Sequence, residues 1–235
     1  MSSRAAPAAT ETSRRPYSSA RRSLQAAQTR EDVLAAAIRL FTTSGWAGTT
    51  VTGIASEAGV AVETVYSGFG SKKGLLRAAL DVAVVGDAQP VPFVERDEFH
   101  RLGRGALAER MQAGVTVQAD IHERSAGVWR AITEAAAADA EVENWRIELE
   151  RGRRVDLERS AKVVLNRDLD ARTLDWLWVV LGPEVYLKLT VDAGLARADY
   201  EAYILDVFER LISPAMKRSR VSRKGSVSAE NAAER

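Results

Sequence analysis

A chain of 235 residues with 46% hydrophobic residues can bury a sizeable core, in one large domain or two modest ones. It has no cysteine, which excludes a disulfide framework, a thiolate metal site and a cysteine nucleophile, and its two histidines, His100 and His122, lack the spacing of a shared metal site. The net charge of +1 conceals a basic start (+5 over residues 1–30), a basic end (+4 over 214–235) and an acidic middle (−8), so the two ends are either solvated tails or parts that meet a polyanion.

Residues 1–28 are rich in Ala, Ser, Thr and Arg, contain Pro7 and Pro16, and show no apolar period. We read them as a disordered basic arm. They lack the apolar run of a secretory signal; the Arg- and Ser-rich composition also fits a transit peptide, but the arm is the preferred reading. No stretch approaches the roughly 20 apolar residues of a membrane span, so no membrane role is expected and a cytoplasmic location fits.

Order is expected to begin at Thr29, a good N-cap, with Glu31 and Asp32 in the first turn where the helix dipole favours acids. Leu34, Ile38 and Phe41 recur at helical spacing, and Gly45 ends the helix. A short second helix follows Thr49 and Thr50, with Val51, Ile54, Ala55 and Ala58 on its apolar face and Gly59 as its stop. A third runs from Val62 to Tyr66, and Ser71 caps a fourth carrying Leu75, Leu76, Ala79, Leu80 and Ala83. Past Gly86 the pattern predicts helices near 97–122, 125–138, 140–166, 171–181, 183–194 and 198–212, with Asp139, Asn166, Pro183 and Gly194 as breakers. Nothing alternates with period two, so the fold class is all-α. From Pro214 the chain is basic and Ser-rich and reads as a disordered tail. The expected units are an arm (1–28), a first helical unit (29–81), a larger helical unit (82–213) and a tail (214–235).

The stretch 49–69 joins two short helices through a Gly turn, which is the layout of a helix-turn-helix. Gly59 allows the positive φ of the turn, and Ala61 to Ser67 would form the reading helix, whose first residues face base edges in the major groove. From Thr29 to Leu80 the chain resembles the DNA-binding domain of the TetR family of regulators. The resemblance rests on Ala37, Leu40, Phe41, Gly45, Thr49-Thr50, Ile54-Ala55, Ala58-Gly59-Val60, Thr64-Val65-Tyr66, Phe69, Lys72 and Leu75-Leu76. Gly68 departs from it, because the family usually has His or Tyr there.

Val51, Ile54, Ala55, Ala58, Val60, Val65 and Phe69 read as core. The candidate DNA contacts are Arg30, Thr49, Thr50, Val62, Glu63, Thr64, Tyr66, Ser67, Lys72 and Lys73. Thr50 caps a helix N-terminus that can face a phosphate. The resemblance assigns the Tyr66 hydroxyl to the DNA backbone. Glu63 either accepts from a cytosine amine or turns away from DNA. Lys72 and Lys73 oppose the dipole of their own helix, which folding alone does not explain and a phosphate would. Arg21, Arg22 and Arg30 are the arm residues nearest the folded domain, and so the best placed for a minor groove.

The resemblance implies an effector pocket and a dimer interface in the remaining helices. Met111, His122, Trp129, Trp145, Trp178 and Tyr186 are the pocket candidates, and each also fits an ordinary core. Arg130 and Glu134 are either polar anchors of that pocket or surface residues. Val185, Leu189, Ile204, Phe208 and Ile212 are the expected dimer face, whose two-fold pairing would set two reading helices on a pseudo-palindromic operator. No hydrolase elbow, phosphate-binding Gly loop or zinc-protease helix occurs, and acids such as Glu148 and Glu150 read as solvated helix faces, so no catalytic residue, metal or cofactor is expected. The resulting expectation is a transcriptional repressor released from its operator by a small molecule. The alternatives are a non-specific DNA-organising protein and a protein–protein adaptor.

Overall fold

The structure is a computed structural model and describes residues 15–212, apart from 88, 90 and 92. The expected disorder of residues 1–14 and of the tail from 214 lies outside the described residues. The helices are α1 (Arg15–Gly48), α2 (Val51–Glu57), α3 (Val62–Phe69), α4 (Lys72–Val85), α5 (Asp97–Arg101), α6 (Leu107–Ala136), α7 (Ala140–Leu165), α8 (Ala171–Val180) and α9 (Pro183–Leu187). α9 widens into a π-helical turn at Lys188–Asp192, and a last helix, α10, spans 197–212. Among the described residues there is no strand, and no helix is long and apolar enough to cross a membrane.

Three boundaries differ from expectation. α1 starts at Arg15, so Thr29 lies within it and caps nothing, and 15–28 is helix rather than a disordered arm. Nine of the 14 residues of this segment are Ala, Gln, Leu or Arg, good helix formers, and extending a packed helix escapes the cost of nucleation; Pro16 stands in the first turn, where a missing N–H costs little. The helix expected over 97–122 breaks at Leu102–Ala106, where Gly105 takes φ 85°. The chain then runs unbroken through 122–125 in α6, where the Ser125 hydroxyl is satisfied by the Ile121 carbonyl.

Apart from Thr29, the caps and turns named next act where they were read. Thr50 accepts from the Gly53 N–H at 2.9 Å and Ser71 from the Gly74 N–H at 3.0 Å. Gly45 leaves helical geometry at φ 65°, and Gly59 turns the chain between α2 and α3 at φ 68°. Asn166 ends α7 in the left-handed region, and Pro183 opens α9.

The main core is continuous across the expected boundary at 81. Phe41, Ile54, Val65 and Leu76 from the first four helices pack in one cluster with Val128, Ile132 and Ala135 of α6 and Val142 of α7. Each large side chain so buried stabilises by about 1.5–3 kcal/mol. A second cluster joins Val115 and Ala119 of α6 to Leu177 of α8 and to Tyr200 and Ile204 of α10. Ile212 closes a third with Leu102, Val164 and Leu165.

This corrects the expected dimer stripe. Ile204 and Ile212 are 1% and 3% exposed, and Phe208 packs on the same clusters, so their face is spent inside the protomer. Val185 and Leu189 are half-buried. Among the described residues the exposed large apolar side chains are Leu24 on α1, Tyr66 on α3, Val155 on α7, Trp176 (50%) and Val179 (58%), one turn apart on α8, and Val191 in the π-helical turn.

Candidate nucleic-acid interface and effector cavity

α2 and α3 form the helix-turn-helix. Val51, Ile54 and Ala55 anchor α2, and Val65 alone is fully buried on α3. The rest of α3 follows from that single anchor: Glu63, Thr64, Tyr66 and Ser67 are exposed, with Tyr66 at 50%. These residues present an unpaired, mostly uncharged polar face, which suits base edges better than a phosphate-only contact. Arg30 lies beside it, with its guanidinium 4.5 Å from the Phe69 ring and a long contact of 3.4 Å to the Gly68 carbonyl.

Four candidate contacts are used elsewhere. Thr49 is buried and its hydroxyl donates to the Gly45 carbonyl at 2.7 Å, sealing the end of α1. Val62 packs on the main core. Lys72 donates to the Trp46 carbonyl and lies 3.9 Å from the centre of its indole, and this burial lowers its pKa. Lys73 bonds Glu141 and Asp139, which raise its pKa. Folding therefore does account for both lysines: they tie α4 to the 46–48 turn and to the start of α7.

Further polar ties join the same parts. Glu134 accepts from the Trp46 N–H at 2.7 Å, and Arg130 donates to the Thr42 carbonyl at 2.7 Å. Arg124 donates to the Ala83 and Val84 carbonyls at the end of α4. Arg130 and Glu134 are thus neither pocket anchors nor idle surface; they fix the C-terminal end of α1, and with it the helix-turn-helix, to α6.

Between α4, α6 and α7 lies a cavity of about 520 Å³, within the range of small-molecule sites. Of the six pocket candidates, His122, Trp129 and Trp145 line it. Met111 lines a separate void of about 60 Å³. Trp178 stands outside, its indole N–H donating to Glu150 at 3.0 Å. Tyr186 lies behind the wall, its ring 5.6 Å from that of His122.

His122 is buried and sits in a hydrogen-bonded chain, 2.8 Å from Gln118 Nε2 and 2.6 Å from the Tyr200 hydroxyl. Burial first, and the Arg153 charge second, lower its pKa to about 3, so the imidazole is neutral. With the Gln118 amide donating to Nε2, the proton sits on Nδ1 and is donated to Tyr200.

Sequence reasoning missed Asp81, Gln118, Glu148, Arg153 and Asp156 in the lining. The signal was present on α7. Trp145, Glu148, Leu149, Gly152, Asp156 and Leu157 form one helical stripe in which polar residues interrupt an apolar face.

Residues 33–79 match the family model of bacterial regulatory proteins of the tetR family. The fold is similar to that of a protein assigned as a TetR-family transcriptional regulator from Rhodococcus sp., with a TM-score of 0.60 at 15% identity, over 78% of this chain and 98% of that one. A transcriptional regulator from Rhodococcus sp. Rha1 gives a TM-score of 0.54 at 16% identity, over 78% of this chain and 96% of that one. At these identities the likeness is one of fold. No curated protein matches the sequence.

Proposed function

We propose that this chain, whose residues 33–79 match the family model of bacterial regulatory proteins of the tetR family, is a transcriptional regulator that works in the cytoplasm as a dimeric, non-enzymatic repressor released from a pseudo-palindromic operator by a small molecule. The observation that carries this reading is the double use of one unit. Its α3 offers Glu63, Thr64, Tyr66 and Ser67 to solvent, while its α4 supplies Leu80, Asp81, Val84 and Val85 to the cavity wall. A ligand in that cavity touches the helix that carries the reading head. It shifts the head by as much as its affinities for the bound and released arrangements differ.

DNA is held by Thr50 at the α2 N-terminus, by Thr64, Tyr66 and Ser67 on α3, with Glu63 within reach of a base, and by Arg30 beside them. Thr49, Val62, Lys72 and Lys73 support this surface from behind. The two-fold partner docks on α8 through Trp176 and Val179, whose exposure is costly in an isolated protomer.

Selection from a random DNA pool is the direct test. A recovered pseudo-palindrome is expected, with Thr64→Ala and Tyr66→Phe each lowering operator affinity by about 1 kcal/mol, one hydrogen bond's worth. Enrichment of no motif would make the protein a non-specific DNA binder. Light scattering of Trp176→Glu is expected to give a monomer; a dimer unchanged by it would move the interface off α8.

A further inference from the structure

The cavity's charges are unbalanced. Asp81 of α4 and Glu148 and Asp156 of α7 line it, against one cation, Arg153. Arg153 is already committed, 2.9 Å from Glu150 and donating to the Trp178 carbonyl at 3.0 Å, where it closes the end of α8. His122 is neutral. Among the described residues, Asp81 and Glu148 have neither a hydrogen bond nor an ion pair, and Asp156 meets only Arg159, 3.6 Å away on its own helix. The remaining wall is apolar and aromatic, including Leu80, Val84, Ile121, Trp129 and Trp145.

From this combination we infer that the effector is a lipophilic cation, an apolar body carrying an organic ammonium or related group that lodges between Asp81 and the carboxylates of α7. The inference rests on the reading of this cavity as the effector site. An anionic effector would face three carboxylates with no uncommitted cation to receive it. A neutral one would leave Asp81 and Asp156 partly desolvated and draw nothing from the charge of the lining. Burial raises the pKa of Asp81, and raises that of Asp156 against the opposing charge of Arg159, the cost of holding a carboxylate there. A cation removes that cost, and the indole faces add to its binding. It also gives the ligand a grip on the DNA-binding head, because Asp81 belongs to α4 while Glu148 and Asp156 belong to α7.

The test uses the full chain and three probes that share a decyl chain: decyltrimethylammonium, decanol and decanoate, each below its micelle concentration. Binding is read by tryptophan fluorescence, since Trp129 and Trp145 line the site, and by the shift in melting temperature. The ammonium is expected to bind best. Asp81→Asn and Glu148→Gln remove no bond within the protein and keep the fold; each should weaken the ammonium roughly fivefold and leave decanol unchanged. Gly152→Phe fills the cavity from a position where an added Cβ meets nothing within 4 Å, and should abolish binding of every probe. Decanol or decanoate binding as well as the ammonium, with that binding lost in Gly152→Phe, overturns the cation and leaves the effector site standing. Binding by none of the three, or binding that survives Gly152→Phe, overturns both.

Discussion

Burial and the Arg153 charge hold His122 neutral down to about pH 3, whereas the unfolded imidazole takes a proton near 6.5. Between those values the unfolded chain binds the extra proton, so stability is complete above about pH 6.5 and falls as the pH drops towards 3. By about pH 5 the loss reaches about 2 kcal/mol. Urea titrations from neutral pH downward should record this slope, and His122→Gln, which takes no proton, should flatten it. Lys72 and Lys73 make the opposite point about charge. Their ammonium groups serve Trp46 and the Asp139–Glu141 pair, so neither is free to release counterions from DNA. The dependence of DNA affinity on salt should keep its slope in Lys73→Met; a slope shallower by about 1 would return that lysine to a phosphate.

At the scale of elements, α6 is the strut on which the others are hung. Its C-terminal half carries Val128, Ile132 and Ala135 into the main core, and α1 crosses it at Gly127. A Cβ on Gly127 would stand 2.5 Å from Thr42 Cγ2, so the two helices meet as closely as they do because glycine is there. Gly127→Ala gains helix propensity but forces α1 away, a net cost of about 1–3 kcal/mol. Thermal denaturation measures it, and a variant as stable as the parent would show that α1 can move without loss. Gly45 works at a second close point, where its positive φ of 65° bends the chain so that the Trp46 N–H reaches Glu134.

At the scale of the whole molecule, head and body share one core. The main core takes side chains from α1 to α4 and from α6 and α7, and the Lys73, Arg130 and Arg124 bonds cross the same seam. A fragment ending at Gly86 lacks Val128, Ile132 and Ala135. It should show little helical circular dichroism and no cooperative melt, while the full chain unfolds in one transition. A fragment that folds alone would mean that the head's own contacts suffice. Under the proposed function, this shared core is the route by which a ligand beside α4 would act on α3, since both are packed against one body.

Local chemistry was sufficient for the elements and for the resemblance of the first helices to the tetR family model. Apolar residues at helical spacing, a glycine where φ must be positive and a hydroxyl or carboxylate at a helix start act over a few residues, so the all-α fold, the helix-turn-helix at 49–69 and the caps Thr50 and Ser71 were legible in the sequence. The exposed face of α3 followed too, since one buried valine fixes the orientation of a short helix. Where each long-range side chain goes was not legible. Lys73 finds partners 66 and 68 residues away, and Ile204 and Ile212 turn inward because α6 and α7 leave a groove there. Glu148 belongs to a cavity wall only once α4 stands opposite. Periodicity shows that a helix has a face, but the packing of distant helices decides what that face meets. That decision is made by tertiary structure alone, because it depends on burial and charge pairing summed over segments that no local pattern connects.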